Sequence, residues 1–272
     1  MSDPLHPLVA LMRRYSYAYT ASHDFAVSRE LMVPDYELWM GEHRIVGHQE
    51  QYVPATERVY REFPGLGFVV HDVVCDGERI ALRFSEHGRS VTRGGTAVWA
   101  GISTYTWDGA RLTRCLVEQD YWSRRDQLHS GAPRPIEPPG MDPWTAPVTP
   151  ADATTEDVVR SWLARGDLLD AEQAVLDDEW CSPAARVRVD GATVDVEDLF
   201  TAGDRAPFHA TVRGTYAGGL PGLEGAVGAP VRVPVAGLAR VAGGEVVEMQ
   251  AVTGRLDAFR QLTAAGAAGD RS

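Results

Sequence analysis

The strongest constraint on this chain is that it repeats itself. Residues 96–128, TAVWAGISTYTWDGARLTRCLVEQDYWSRRDQL, align without a gap against residues 230–262, PVRVPVAGLARVAGGEVVEMQAVTGRLDAFRQL, at a spacing of 134 positions. Each copy reads as a long strand, a tight turn at Gly109 or Gly243, a second strand, and a closing stretch that ends Gln-Leu (Gln127-Leu128, Gln261-Leu262). A period of this length is too long for a solenoid unit and suits a duplicated domain. The 272 residues therefore divide into two domains, each large enough to bury a core. The first is expected over residues 1–130 and the second over 151–265, with 266–272 as a tail. Residues 131–150 (GAPRPIEPPGMDPWTAPVTP) hold seven prolines and read as a semi-rigid extended linker, not a packed element. The copies differ in chemistry: Trp99, Tyr105, Trp107, Glu118 and Asp120 stand where the second has Val233, Ala239, Val241, Val252 and Gly254.

Charge and composition exclude several partner classes. A net charge of −12 offers no basic face for nucleic acid or an anionic membrane. All 26 basic residues are arginine, so Schiff-base, pyridoxal phosphate and phosphate-loop lysine chemistry are excluded. Three widely spaced cysteines (Cys75, Cys115, Cys181) make no disulfide framework. The N-terminus lacks a basic segment followed by an apolar one, and no apolar run is long enough to cross a bilayer, so a cytoplasmic protein is expected. The histidines include no HxxxH pair, and there is no CxxC, GxSxG or GxGxxG. Neither a metal nor another cofactor is expected.

Periodicity predicts helices over 5–20, from Ser22 or Asp24 to Met32 ahead of a stop at Pro34, and over 48–63. Strands are expected at 36–40, with a hairpin turn and short return over 41–47, then at 66–75, 79–90, 96–108 and 111–122. Their turns are marked by Asp76-Gly77, Gly94-Gly95 and Asp108-Gly109. In the second half, helices are expected at 155–164, 170–180 and 196–200. Strands follow at 185–189, 193–195, 207–217, 230–241 and 245–254, with 218–230 as a long hairpin loop.

Helix, helix, strand, hairpin, helix and a strongly bent antiparallel sheet is the order of the NTF2-like cone. LMVPDYELWMG (31–41), VHDVVCDGERIALRF (70–84) and WDGARLTRCLVEQDYWSRRDQL (107–128) resemble SnoaL-like proteins, which have this fold. The resemblance implies an α+β chain of two tandem NTF2-like cones, each a strongly curved antiparallel sheet packed on about three helices. It implies fold more than function, because these cones host isomerases, cyclases, dehydratases, epoxide hydrolases and binding modules. The catalytic aspartate of ketosteroid isomerases falls on Met40, and the Arg-x-Asp of limonene-type epoxide hydrolases falls on Arg83-Phe84-Ser85, so neither reaction is supported by its acid.

A curved sheet closed by helices makes a cavity lined by alternate residues of each strand. On the closing strand Leu116, Glu118 and Asp120 share a face; turned inward, desolvation and mutual repulsion would tune them for acid–base work. Asp120 matches the late aspartate of the SnoaL-like ending and is the expected proton-transfer group. Its partner would be His71, which resembles the strand histidine of scytalone-dehydratase-like members, or Asp35, after the Pro34 stop. Tyr15, Trp39, Glu86, Trp99, Tyr105 and Glu118 are the candidate ligand contacts; of the adjacent Glu86 and His87 only one can see the cavity. The expected function is cofactor-independent acid–base chemistry (cyclase, dehydratase or isomerase type) on a small hydrophobic, carbonyl-bearing metabolite of secondary metabolism. The alternatives are a non-catalytic binding or scaffolding protein and an epoxide hydrolase. A homodimer or an intramolecular pseudo-dimer would complete the assembly.

Overall fold

A computed structural model describes residues 5–138, 141–177 and 185–269. Helix α1 (Pro7–Arg14) starts on a proline and buries Leu8, Val9 and Met12, a stripe at helical spacing. It widens into a π-helical stretch, Tyr15–Thr20, that carries the first tyrosines toward the sheet. Asp24, not Ser22, caps α2 (Phe25–Leu31), its carboxylate accepting from the Ala26 amide at 2.8 Å. The chain turns extended before Pro34, because β1 spans Met32–Met40. β2 (His43–Val46) returns against β1. A second π-helical turn (His48–Tyr52) leads into α3 (Val53–Glu62).

The remaining strands of the first half are β3 (Gly67–Cys75), β4 (Arg79–Arg89), β5 (Thr96–Trp107) and β6 (Leu112–Gln119). The sheet order is β2-β1-β6-β5-β4-β3, antiparallel throughout except for the parallel β1–β6 pair. β6 stops at Gln119, and α4 (Tyr121–Ser130) follows. The expected strand over 111–122 is thus too long by its last residues, because Asp120 leaves the ladder to cap that helix.

The second half has α5 (Ala153–Leu163), β7 (Ala174–Leu176), β8 (Arg188–Leu199), β9 (Arg205–Gly218), β10 (Pro230–Ala242), β11 (Glu245–Thr253) and α6 (Arg255–Gly269). Its sheet order, β7-β11-β10-β9-β8, with a parallel β7–β11 pair, repeats the first sheet without the β2 strand. Two helix expectations fail here. Residues 174–176 are the edge strand, while 178–180 of that expected helix, and Cys181, lie outside the described residues. Residues 196–199 belong to β8, where Val194 and Val196 alternate with exposed Asp195 and Glu197; this period of two, laddered to β9, outcompetes a helix of one turn. In both sheets a phenylalanine lies across a strand glycine: a Cβ on Gly101 would sit 2.2 Å from the Phe84 ring, and one on Gly237 would sit 2.3 Å from Phe208. Only glycine admits the ring so close.

The sheets pack on each other through the faces turned away from their helices. Val98, Ala100 and Ile102 of β5 join Ala236 and Leu238 of β10 and Val252 of β11 in one buried cluster. Arg125 lies over the Phe259 ring at 4.6 Å; these two positions are equivalent in the repeat, so matching surfaces of the two copies meet there. The chain holds two α+β cones packed sheet against sheet. The segment between them is more than a spacer. Trp144 is buried and donates its indole N–H to the Tyr17 hydroxyl at 3.1 Å. Arg83 forks onto Glu137 at 2.6 and 2.7 Å.

Candidate active site in the first cone

The helices and the inner face of the first sheet enclose a cavity of about 150 Å³. α1 and its π-helical extension supply Tyr15. The α3 region supplies Tyr52, Thr56 and Tyr60 in a stripe four residues apart. β4 supplies Phe84 and Glu86, β5 supplies Tyr105, and β6 supplies Cys115, Val117 and Gln119, with Tyr121 following. Strand alternation selects these residues: Glu86 looks inward, while His87 packs its ring over Gly67 outside.

Phenols dominate the cavity floor. Tyr15 is within hydrogen-bonding reach of Tyr52 and Tyr105, and the Tyr19 hydroxyl donates to that of Tyr52 at 3.0 Å. The rings pack edge to face, Tyr15 with Tyr105 at 5.6 Å and with Tyr19 at 5.4 Å. Burial raises the pKa of each phenol, so they remain O–H donors at any physiological pH. Glu86 is the only carboxyl group lining the cavity among the described residues. Burial pushes it up to about 7, opposed by the charge of Arg124 and the indole N–H of Trp99. Near neutral pH it is present in both protonation states, as proton transfer requires.

The family model of the SnoaL-like domain matches residues 12–115. The first cone is a SnoaL-like domain. Solved structures similar to this chain include a SnoaL-like protein from Jannaschia sp. CCS1 (17% identity, TM-score 0.43, covering 49% of this chain and 97% of that one). An LEH-like epoxide hydrolase from M. tuberculosis is 15% identical (TM-score 0.40, 47% and 92% covered). TsrD from Streptomyces laurentii is 19% identical (TM-score 0.41, 45% and 94% covered). No curated protein matches the chain in sequence. Among the described residues no helix is long and apolar enough to cross a membrane.

Of the expected site residues, Tyr15, Glu86 and Tyr105 meet in the SnoaL-like cavity; the others do not. On β6 the cavity face is Cys115, Val117 and Gln119, so Leu116 and Glu118 face the second cone, the reverse of the inward expectation. A one-residue difference in register exchanges the two faces. Glu118 accepts from the Gly41 amide at 2.7 Å, and burial, with the nearby Asp257 and Glu197, raises it to about 8. Asp120 is fully buried between the cones. It accepts from the Ser123 amide at 3.1 Å and from the Arg255 guanidinium at 2.5 Å, and Arg255 also lies 3.4 Å from Asp177. That arrangement is an inter-domain ionic cluster, with no opening to the cavity.

His71 is on the outer side, where its Nε2 shares a 2.9 Å hydrogen bond with Ser85 and lies 3.6 Å from Glu137. Burial lowers its pKa to about 4. Asp35 is exposed on β1. Trp39 turns outward, donating to Glu37 at 2.8 Å beneath the Arg44 guanidinium, while its neighbours Leu38 and Met40 line the cavity. Trp99 is buried behind the wall against Phe63, and its indole donates to Gln119 at 2.8 Å. Asp120, His71 and Asp35 are therefore not brought together. The cavity residues that sequence reasoning passed over are Tyr52, Tyr60, Gln119 and Tyr121. The stripe at 52, 56 and 60 carried the signal for the first two, and the parity of Gln119 depended on the register of β6.

Proposed function

We propose that the first cone catalyses cofactor-independent proton transfer on a small carbonyl compound, with Glu86 as the acid–base group and the Tyr15–Tyr105–Tyr52 hydroxyls as donors to the carbonyl oxygen. The observation that carries this reading is a single carboxyl group, held near neutrality by burial, lining a cavity whose polar groups are mostly phenols. In the reaction a C–H bond next to the carbonyl breaks. Its proton passes to the Glu86 carboxylate and its electron pair forms the enolate, whose oxygen accepts from the tyrosines. Returning the proton to another carbon isomerises the substrate; attack of the enolate carbon on a second carbonyl closes a ring, and the alkoxide so formed takes the proton back from Glu86. Preorganised donors are effective here because water is largely displaced by aromatic walls. The role first expected of Asp120 passes to Glu86, and the site lies between Tyr15 and Tyr121.

The test uses purified full-length protein and 1-indanone in deuterium oxide, with proton NMR following exchange of the α-hydrogens. The wild type accelerates exchange, and the rate climbs as pH rises through about 7, because only ionised Glu86 accepts a proton. Glu86→Gln loses about 10²–10⁴-fold of that acceleration. A Glu86→Gln protein that exchanges like wild type returns the cone to a binding or scaffolding role.

A further inference from the structure

Beside the cavity wall, on the ring of Tyr121, stands a guanidinium whose charge acts on Glu86. Arg124 projects from the first turn of α4, its guanidinium carbon 4.0 Å from the centre of the Tyr121 ring and 5.1 Å from that of Trp99, with Phe63 at 5.7 Å. Tyr121 is a cavity wall and Trp99 stands behind Gln119, another wall residue. Several arginines meet carboxylates, as Arg44 does Glu37 and Arg83 does Glu137, while others, Arg125 among them, lie over aromatic rings as Arg124 does. Arg124 makes no ion pair within 4 Å among the described residues; its charge acts on Glu86 from further off, and it also meets aromatic faces and the Tyr121 hydroxyl. A guanidinium stacked by its face keeps an edge of N–H donors for a planar, bidentate acceptor.

We propose that Arg124 recognises a carboxylate on the ligand, so that the cavity takes a carbonyl compound with an aromatic or flat apolar body and an acidic head held at the rim. This rests on the reading of the cavity as the Glu86 reaction site. Charge supplies the reason for such a residue. A chain of net charge −12 repels an anion at long range, and the Glu86 carboxyl adds to that repulsion when ionised. A fixed cation beside Glu86 offsets both. It orients the ligand head-out, with its carbonyl end toward the tyrosine floor.

Fluorescence titration of the full-length protein with 6-hydroxy-2-naphthoic acid and with its methyl ester tests this directly, since the pair differs in the charge of the head and by one methyl group. The wild type binds the acid about tenfold tighter than the ester, a difference of roughly 1.4 kcal/mol. Arg124→Gln removes that preference and leaves the ester affinity unchanged. Wild type gives a second readout: raising sodium chloride weakens binding of the acid several-fold and leaves the ester unaffected, because screening acts only on the charged head. An acid-to-ester ratio that survives Arg124→Gln, or loss of both probes together in that variant, overturns the proposal, as do equal salt responses. Equal binding of both probes by wild type removes the role of Arg124 alone and leaves the Glu86 exchange experiment standing. Failure of either probe to bind wild type counts against the cavity reading as well.

Discussion

The two cones share a closing device and differ in what they enclose. In the first, the Gln127 side chain accepts from the Val98 amide at 3.0 Å; in the second, Gln261 accepts from the Arg232 amide, 134 positions further on, at 3.1 Å. The same glutamine therefore ties the same strand to the same helix in both halves. The lining diverges. Cys115, Val117 and Gln119 of the first cavity correspond to Met249, Ala251 and Thr253, and Tyr105 corresponds to Ala239. Met249, Ala251 and Ala239 are fully buried members of the second core, packed with Phe208, Val233 and Trp162. The comparison teaches that backbone closure and cavity chemistry are independently variable in this fold. One copy keeps a polar hollow; in the other, positions matching its lining are buried apolar residues, and its sheet covers the outer face of the first.

The contact between them is where the largest effect is expected. Arg255 replaces the tyrosine found at the matching position of the first copy, Tyr121, and sits fully buried between Asp120 and Asp177. Arg255→Met strands two carboxylates without their cation and should cost about 3–5 kcal/mol of unfolding free energy in urea. Loss of less than about 1 kcal/mol, the level of an exposed pair, would mean the cones are held by their apolar faces alone.

Exchanging lining residues sharpens the contrast between hollow and filled. Ala239→Tyr, which copies Tyr105 into the second core, should cost about 1–3 kcal/mol through overpacking. Cys115→Met, which copies Met249 into the first cavity, should change stability by less while blocking probe binding. Similar melting losses in both variants would show that the first cavity is as tightly filled as the second.

The last contrast is a pH slope. Glu118 titrates near 8 in the folded chain and near 4.3 when unfolded, so the native state holds a proton that the unfolded state releases between those values. Its contribution makes stability fall as pH rises across that window and level off above it. Glu118→Gln keeps an acceptor for the Gly41 amide and should flatten this part of the slope, leaving the variant more stable than wild type at pH 9. An unchanged slope in urea titrations would place the titrating group elsewhere.

Much of this fold was legible because periodicity, turn glycines and the internal repeat all point the same way. The glycines at 77, 94, 109 and 243 do take the left-handed backbone conformation of tight turns. The site was legible only in part. Residue type picks out Tyr15, Glu86 and Tyr105, which line the cavity, but it also places Asp120 and Glu118 there through a strand parity that sequence alone does not fix. A carboxylate at the end of a strand is equally suited to cap the next helix, and Asp120 does so. Its cation, Arg255, lies 135 positions away, in the second copy. His71 misled for a related reason: the register of β3 shifts between Val70 and Asp72, a bulge that re-aims side chains.

On the proposed function, proton transfer belongs to Glu86, the one carboxyl group lining the first cavity among the described residues, and not to the buried carboxyls between the cones. The most direct measurement compares deuterium exchange into 1-indanone by Glu86→Gln and Glu118→Gln proteins at pH 8. The account predicts that Glu118→Gln exchanges within about twofold of wild type while Glu86→Gln falls by about 100-fold or more. Equal rates in the two variants, or a loss confined to Glu118→Gln, would contradict it.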